Sequence, residues 1–230
     1  MMIKGVLFDF SGTLFRVESV RSWLAAVLAE QEMRVDAAAF ERYAEGLTAA
    51  GALPGGPAPQ HVPDRLAEVW ATRDESAERH REAYVGLARQ VALPDPGLYD
   101  ALYDRHRSPA AWRPYPDAEE VLGSLRASGI RVCVVSNIGW DLRPVFRAHG
   151  LDARVDAYVL SYEHGVQKPD PQLFHTACTL IQQDPTDVVM VGDDRHADGG
   201  AAALGCDVRF VEHLPVEERP DALRALGLVP

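Results

Sequence analysis

Three apolar runs in this chain each stop at a reactive side chain, and that arrangement most constrains what it can fold into. Val6-Leu7-Phe8 runs into Asp9 and then Phe10-Ser11-Gly12-Thr13-Leu14. Val132-Cys133-Val134-Val135 runs into Ser136-Asn137, and Val188-Val189-Met190-Val191-Gly192 runs into Asp193-Asp194, with Asp198 following. Short apolar runs without alternation suit strands buried on both faces of a parallel sheet. Open sheets of that kind bind ligands at the carboxyl ends of their strands, which is where the polar residue after each run falls.

From residue 117 onward the pattern alternates between helix and strand. It reads as helix 117–128 ended by Gly129, strand 130–135, helix 141–148, strand 156–160, helix 170–182, strand 187–191, helix 197–204 and strand 207–211. Such alternation predicts an α/β fold, a Rossmann-like parallel sheet with right-handed crossovers. No Gly-x-Gly-x-x-Gly follows the first strand, so dinucleotide binding has little support.

After Leu14 the spacing turns helical. Val20, Leu24, Val27 and Leu28 share one face, and Phe40, Tyr43 and Leu47 another; Asp36 can start the second helix and Gly51 can end it. Leu66-Val69-Trp70, Ala83-Tyr84-Leu87-Val91 and Leu98-Leu102-Tyr103 suggest three more helices, with the loop Gly51–Pro57 between. Residues 17–110 therefore read as an all-helical insertion, and residues 1–16 with 111–230 as the core it interrupts. Phe15-Arg16-Val17 and Trp112-Arg113-Pro114 are the two connections. Trp23, Trp70 and Tyr84 read as core of the insertion.

Composition narrows the function classes. A chain of 230 residues with 47% hydrophobic and 25% charged residues is long enough for a core plus a small second domain, and no stretch approaches the roughly 18 apolar residues of a membrane span. The net charge of −11 disfavours nucleic acid and anionic membranes as partners, and an anionic substrate would need local positive charge. The first apolar run is broken at once by Asp9 and reads as a core strand rather than a signal peptide. Cys133, Cys178 and Cys206, odd in number and set among apolar residues, read as reduced core thiols, which points to a cytoplasmic protein.

With Gln167-Lys168-Pro169-Asp170 added, the segments at Asp9, Ser136, Lys168 and Asp193–Asp198 resemble, in order, the four motifs of the haloacid dehalogenase-like (HAD) hydrolase superfamily. The resemblance covers about two thirds of the chain and makes residues 17–110 the variable cap. It implies that Asp9 is a nucleophile that attacks phosphorus and carries an aspartyl phosphate, later hydrolysed by water. Asp9 and Asp193 would hold Mg²⁺, together with the backbone carbonyl of Ser11, while Asp194 and Asp198 complete or orient the site. Ser136 and the backbone of Asn137 would donate to the oxygens of the transferred group, and the Lys168 ammonium would neutralise charge there. Gly12, Thr13 and Arg16 would flank the substrate with Ser11 and Asn137. Each residue also has a plainer reading: strand-end Asp, Ser and Asn cap turns, Asp198 can cap the helix after it, and Lys168 can sit in solvent.

One departure bears on chemistry. Phosphatases of this superfamily usually carry a second Asp two residues after the nucleophile, as general acid and base, and here that position is Ser11. The expectation is a Mg²⁺-dependent phosphatase of a small phosphorylated metabolite. The alternatives are a 2-haloacid dehalogenase, whose halide needs no protonation, and an impaired member that binds a phosphorylated ligand without turning it over. His149, His164, His175 and His196 form no metal spacing; His196 is the one placed where it could substitute as an acid.

Overall fold

The computed structural model describes residues 3–228. It divides into two compact units: one holds the chain up to Arg16, Asp74–Ser76 and everything from Arg113 onward; the other holds Val17–Arg73 and Ala77–Trp112. Residues 74–76 group with the first unit because the Ser161 hydroxyl donates to the Asp74 carbonyl at 2.5 Å and the Asp74 amide reaches Gln167 at 3.4 Å.

In chain order the strands are β1 (Gly5–Phe8), β2 (Phe15–Val17), β3 (Trp112–Pro114), β4 (Arg131–Ser136), β5 (Ala157–Leu160), β6 (Val188–Gly192) and β7 (Asp207–Phe210). The α-helices are α1 (Val20–Glu30), α2 (Ala37–Ala50), α3 (Ala67–Ala71), α4 (Ala77–Ala88), α5 (Gly97–His106), α6 (Ala118–Ala127), α7 (Arg143–Ala148), α8 (Ser161–His164), α9 (Pro171–Leu180) and α10 (Ala222–Ala225).

The first unit is an α/β domain on a parallel sheet of order β5-β4-β1-β6-β7. The three apolar runs occupy its middle, and Val6, Leu7, Phe8, Val134, Val135, Val189 and Met190 are fully buried. Phe8 stands opposite Val134 of β4 and Val191 of β6, so the three strands end on the same side of the sheet within two residues of one another. The Asp9 amide donates to the Val191 carbonyl at 2.9 Å and carries the ladder one residue past β1.

Most expected boundaries lie within two residues of the observed ones, the usual scatter of frayed ends. Two differ in kind. The expected helix 197–204 is a 3₁₀ helix, Asp198–Leu204. Gly199 and Gly200 weaken an α-helix there, and a Cβ on Gly200 would overlap the Pro169 backbone, so close packing selects glycine. The two connections also pair with each other, as the β2–β3 ribbon; at three residues each they carry no readable period.

The second unit is helical, α1 to α5 with short 3₁₀ turns. Ser19 caps α1, Asp36 caps α2 through the Ala39 amide at 2.7 Å, and Gly51, left-handed at φ 63°, ends α2. Trp23, Leu24, Leu47, Leu87 and Leu102 form the interior, with the Trp23 indole donating to the Leu102 carbonyl at 2.9 Å. Among the described residues no helix is long and apolar enough to cross a membrane, and all three cysteines are buried free thiols.

Two buried histidines make this unit acid-sensitive. The His80 and His106 rings stack at 5.7 Å, with His80 Nδ1 2.8 Å from the Tyr103 hydroxyl and His106 Nδ1 on the Tyr103 carbonyl. Burial, then the neighbouring ring and arginines, holds His80 well below 6.5, and burial drives His106 to about 3 against its backbone hydrogen bond. Both stay neutral in the folded chain while the unfolded chain takes up protons from 6.5 downward, so stability falls as pH falls between those values. The slope is of the order of 1.4 kcal/mol per pH unit for each ring. Denaturant midpoints at neutral pH and one to two units lower should show this loss, and His80→Gln with His106→Gln should flatten it; an unchanged slope in the double variant refutes the assignment.

Candidate active site

Asp9 sits just past the end of the central strand, 7% exposed, and faces Lys168. The Lys168 ammonium donates to Asp9 Oδ1 at 2.8 Å and to Asp198 Oδ1 at 2.5 Å, a buried carboxylate–ammonium–carboxylate triad. Asp193, at the end of β6, brings a third carboxylate: one oxygen each of Asp9, Asp193 and Asp198 lie within 4.8 Å of one another. The Thr13 hydroxyl reaches toward Asp9 Oδ2 at 3.5 Å and Asp193 Oδ1 at 3.4 Å.

Three acids around one ammonium leave excess negative charge in a buried place. Burial, opposed by Lys168 and reinforced by Asp198 and Asp193, raises Asp9 to about 7. Asp198 is raised by burial in the same way, against Lys168. For Lys168 burial acts to lower the value, but the paired carboxylates outweigh it and hold the ammonium charged.

Local structure holds each group. Asn137 turns its side chain onto Lys168, accepting from the Lys168 amide at 2.6 Å and donating to its carbonyl at 3.0 Å. That side-chain clamp was not expected from the sequence, which offered only the Asn137 backbone as a substrate contact. Ser136 ends β4 and is buried. Gly192 lets Asp198 close in, because a Cβ there would overlap the Asp198 carboxylate. Gly12, at φ 81°, lies where a Cβ would overlap Asp193 Oδ2 and His213 Nδ1.

Asp194 stands outside the cluster. Its carboxylate accepts from the His196 amide at 2.8 Å and the Ala197 amide at 2.9 Å, so it caps a turn, while its own amide donates to Asp198 Oδ2 at 3.0 Å. His196 is exposed on that turn. Arg16 meets the His213 ring. Ser11 keeps a buried hydroxyl with no hydrogen-bond partner among the described residues.

Sequence reasoning missed two residues of the segment after β7. His213 Nδ1 lies 2.5 Å from Asp193 Oδ2. Arg219, buried, spreads its guanidinium over the carbonyls of Gly12, Thr13 and Glu212 and over the Tyr115 ring at 3.1 Å from its centroid. It thereby pins the turn that follows the nucleophile position. Treating β7 like the other strands, and asking which side chain follows its end, would have raised His213.

The donor set is entirely carboxylate oxygen, the chemistry suited to a hard divalent cation such as Mg²⁺, so the residues present fit that group. Asp9 and Asp193 would hold it beside the Asp198–Lys168 pair.

Comparison with known proteins gives three likenesses. The chain is 30% identical to (S)-2-haloacid dehalogenase 1 of Pseudomonas sp. (strain CBS-3) over 61% of its own length and 59% of that enzyme. It is also 30% identical to ribulose-1,5-bisphosphate 5-phosphatase of Halopiger xanaduensis, over 62% of its length and 61% of that enzyme. It therefore spans less than two thirds of either relative. A crystal structure of a dehalogenase superposes with a TM-score of 0.68 at 25% identity, covering 98% of this chain and 96% of that one. The family model for haloacid dehalogenase-like hydrolases matches residues 3–205, which takes in β1, Asp9, Lys168, Asp193 and Asp198, and the chain belongs to that family.

Proposed function

We propose that the protein is a Mg²⁺-dependent phosphatase of a small phosphorylated, hence anionic, metabolite, with Asp9 as nucleophile. The observation that carries this reading is the convergence of the Asp9, Asp193 and Asp198 carboxylates, two of which, Asp9 and Asp198, are paired with Lys168. A site meant only to deliver one carboxylate to carbon has no use for a third acid. A bound divalent cation would offset the excess negative charge, polarise the phosphoryl oxygens and hold Asp9 ionised. Asp9 would attack phosphorus, the alkoxide would leave, and water would then cleave the aspartyl phosphate. Lys168 balances charge on Asp9, while Ser136 and the Asn137 backbone at the end of β4 would donate to the transferred group.

One observation favours a second reading, a 2-haloacid dehalogenase. The hydroxyl of Ser11 cannot serve as the acid a phosphatase needs, and a departing halide requires none. The likeness to a Pseudomonas enzyme of that name supports it. Phosphate release from a panel of small phosphomonoesters, with Mg²⁺ and with chelator, beside halide release from 2-chloropropionate, separates the two. Chelator-sensitive phosphate release is the expected result; chelator-insensitive halide release overturns it.

A further inference from the structure

Arg219 is a buried cation that the proposed chemistry leaves unused. It follows the 3₁₀ turn Val216–Glu218 and is 3% exposed. Its Nη1 donates to the Gly12 carbonyl and, at 3.2 Å, to the Glu212 carbonyl, and its Nη2 donates to the Thr13 carbonyl. Its Nε has no partner among the described residues, so the terminal fork makes all three bonds. The guanidinium carbon stands over the Tyr115 ring, and the Tyr115 amide in turn donates to the Leu14 carbonyl at 3.0 Å.

What the fork holds is the turn directly after Asp9. In a trans peptide the carbonyl and the amide hydrogen point opposite ways. A fork that fixes the Gly12 and Thr13 carbonyls therefore fixes the Thr13 and Leu14 amides too, and the Leu14 amide donates to the Phe10 carbonyl at 3.0 Å, one residue past Asp9. The same turn carries the Thr13 hydroxyl that reaches toward Asp9 and Asp193, and Gly12, where a Cβ would overlap Asp193 Oδ2. The chain after β7 has other anchors. The Val211 amide donates to the Gly192 carbonyl at 3.0 Å, the Tyr115 hydroxyl to the Leu214 carbonyl at 2.6 Å, and Asp117 Oδ2 accepts from the Leu223 and Arg224 amides at 2.8 and 3.0 Å. Resting on the reading of Asp9 as nucleophile, we infer that Arg219 is a positioning residue, which locks the turn at Gly12 and Thr13 so that Asp9 is held at attacking distance and Thr13 within reach of both acids. It acts through the backbone, so its loss is felt in kcat rather than in KM.

Arg219→Lys keeps the charge and loses the planar fork. With turnover followed as phosphate release with Mg²⁺ and as halide release from 2-chloropropionate, kcat should fall about 10- to 100-fold and KM stay within about threefold, the scale on which a displaced reacting group is felt. Hydrogen exchange read by mass spectrometry does not depend on turnover. Amides of residues 9–15 should exchange about tenfold faster in the variant, while those of β4 and β6 keep their wild-type rates. Glu217→Ala, which removes only the exposed 3.0 Å pair with Arg113 on the neighbouring turn, should change neither kcat nor exchange. In wild type itself, ¹⁵N spectra should show separate Nη–H signals for Arg219, because bonds to carbonyls stop the guanidinium from rotating; one averaged signal overturns the inference without any variant. An unchanged kcat in Arg219→Lys, a loss that falls on KM, or exchange that rises as much in β4 and β6 as in the turn overturns it as well. Wild type that releases neither phosphate nor halide overturns the reading of Asp9, and this inference with it. Turnover that Asp9→Asn abolishes and Arg219→Lys leaves alone overturns this inference only.

Discussion

Asp9→Asn is expected to abolish turnover, with a loss on the order of 10⁴- to 10⁶-fold, the scale on which removal of a covalent nucleophile is felt. The amide keeps the size of the carboxylate and can still approach Lys168, but it cannot form the ester. Stability should hold, because the substitution relieves a crowded charge: Asp9 is raised to about 7 by burial and by Asp198 and Asp193, and a neutral side chain escapes all three. Initial rates beside a thermal melt check both halves of the expectation. Mass spectrometry of the peptide carrying Asp9, quenched during turnover, then distinguishes the proposed chemistries. A phosphoryl adduct on wild type, absent from the variant, belongs to the phosphatase; an ester of a 2-hydroxy acid belongs to the dehalogenase. Residual activity in Asp9→Asn near the wild-type rate would remove Asp9 from the mechanism altogether.

The parts of the fold that were legible in the sequence are those whose signal is local. The runs before Asp9, Ser136 and Asp193 are apolar because both faces of a central parallel strand are covered, so their place in the sheet could be read directly. The helix from Ala37 showed its caps at Asp36 and Gly51. What could not be read depends on chain segments far apart. Arg219 follows the 3₁₀ turn Val216–Glu218, far along the chain from β1, and finds the Gly12 and Thr13 carbonyls only after the sheet has formed. His213 likewise reaches Asp193 across a return of the chain, and the one local sign of it is its place shortly after the end of β7. Asp194 posed the opposite difficulty: a carboxylate two and three residues before free amides closes a turn whether or not a metal is near, and adjacent Asp193 and Asp194 look alike until their partners are seen.

Ser11→Asp is the second large expected effect, and it runs upward: phosphomonoester hydrolysis should increase by roughly 10² to 10⁴, the usual worth of a positioned general acid. The Ser11 hydroxyl is buried without a hydrogen-bond partner among the described residues, so replacing it breaks no bond there. The residue as a whole is only partly buried, which leaves a direction in which a longer side chain can extend. A carboxyl added beside Asp9 and Asp193 would be pushed upward by their charge, toward the protonated state a donor requires. It could protonate the departing alkoxide and, in the next step, take a proton from the water that attacks the aspartyl phosphate. The gain should therefore appear in kcat and be greatest for esters with poor leaving groups, flattening the dependence of rate on leaving-group pKa. A variant active where wild type is silent would mean a scaffold intact except for its proton donor, the binding-only alternative. A variant no faster than an active wild type, with the same leaving-group dependence, would mean that the native substrate departs without protonation, and would move the halide reading ahead of the phosphate one.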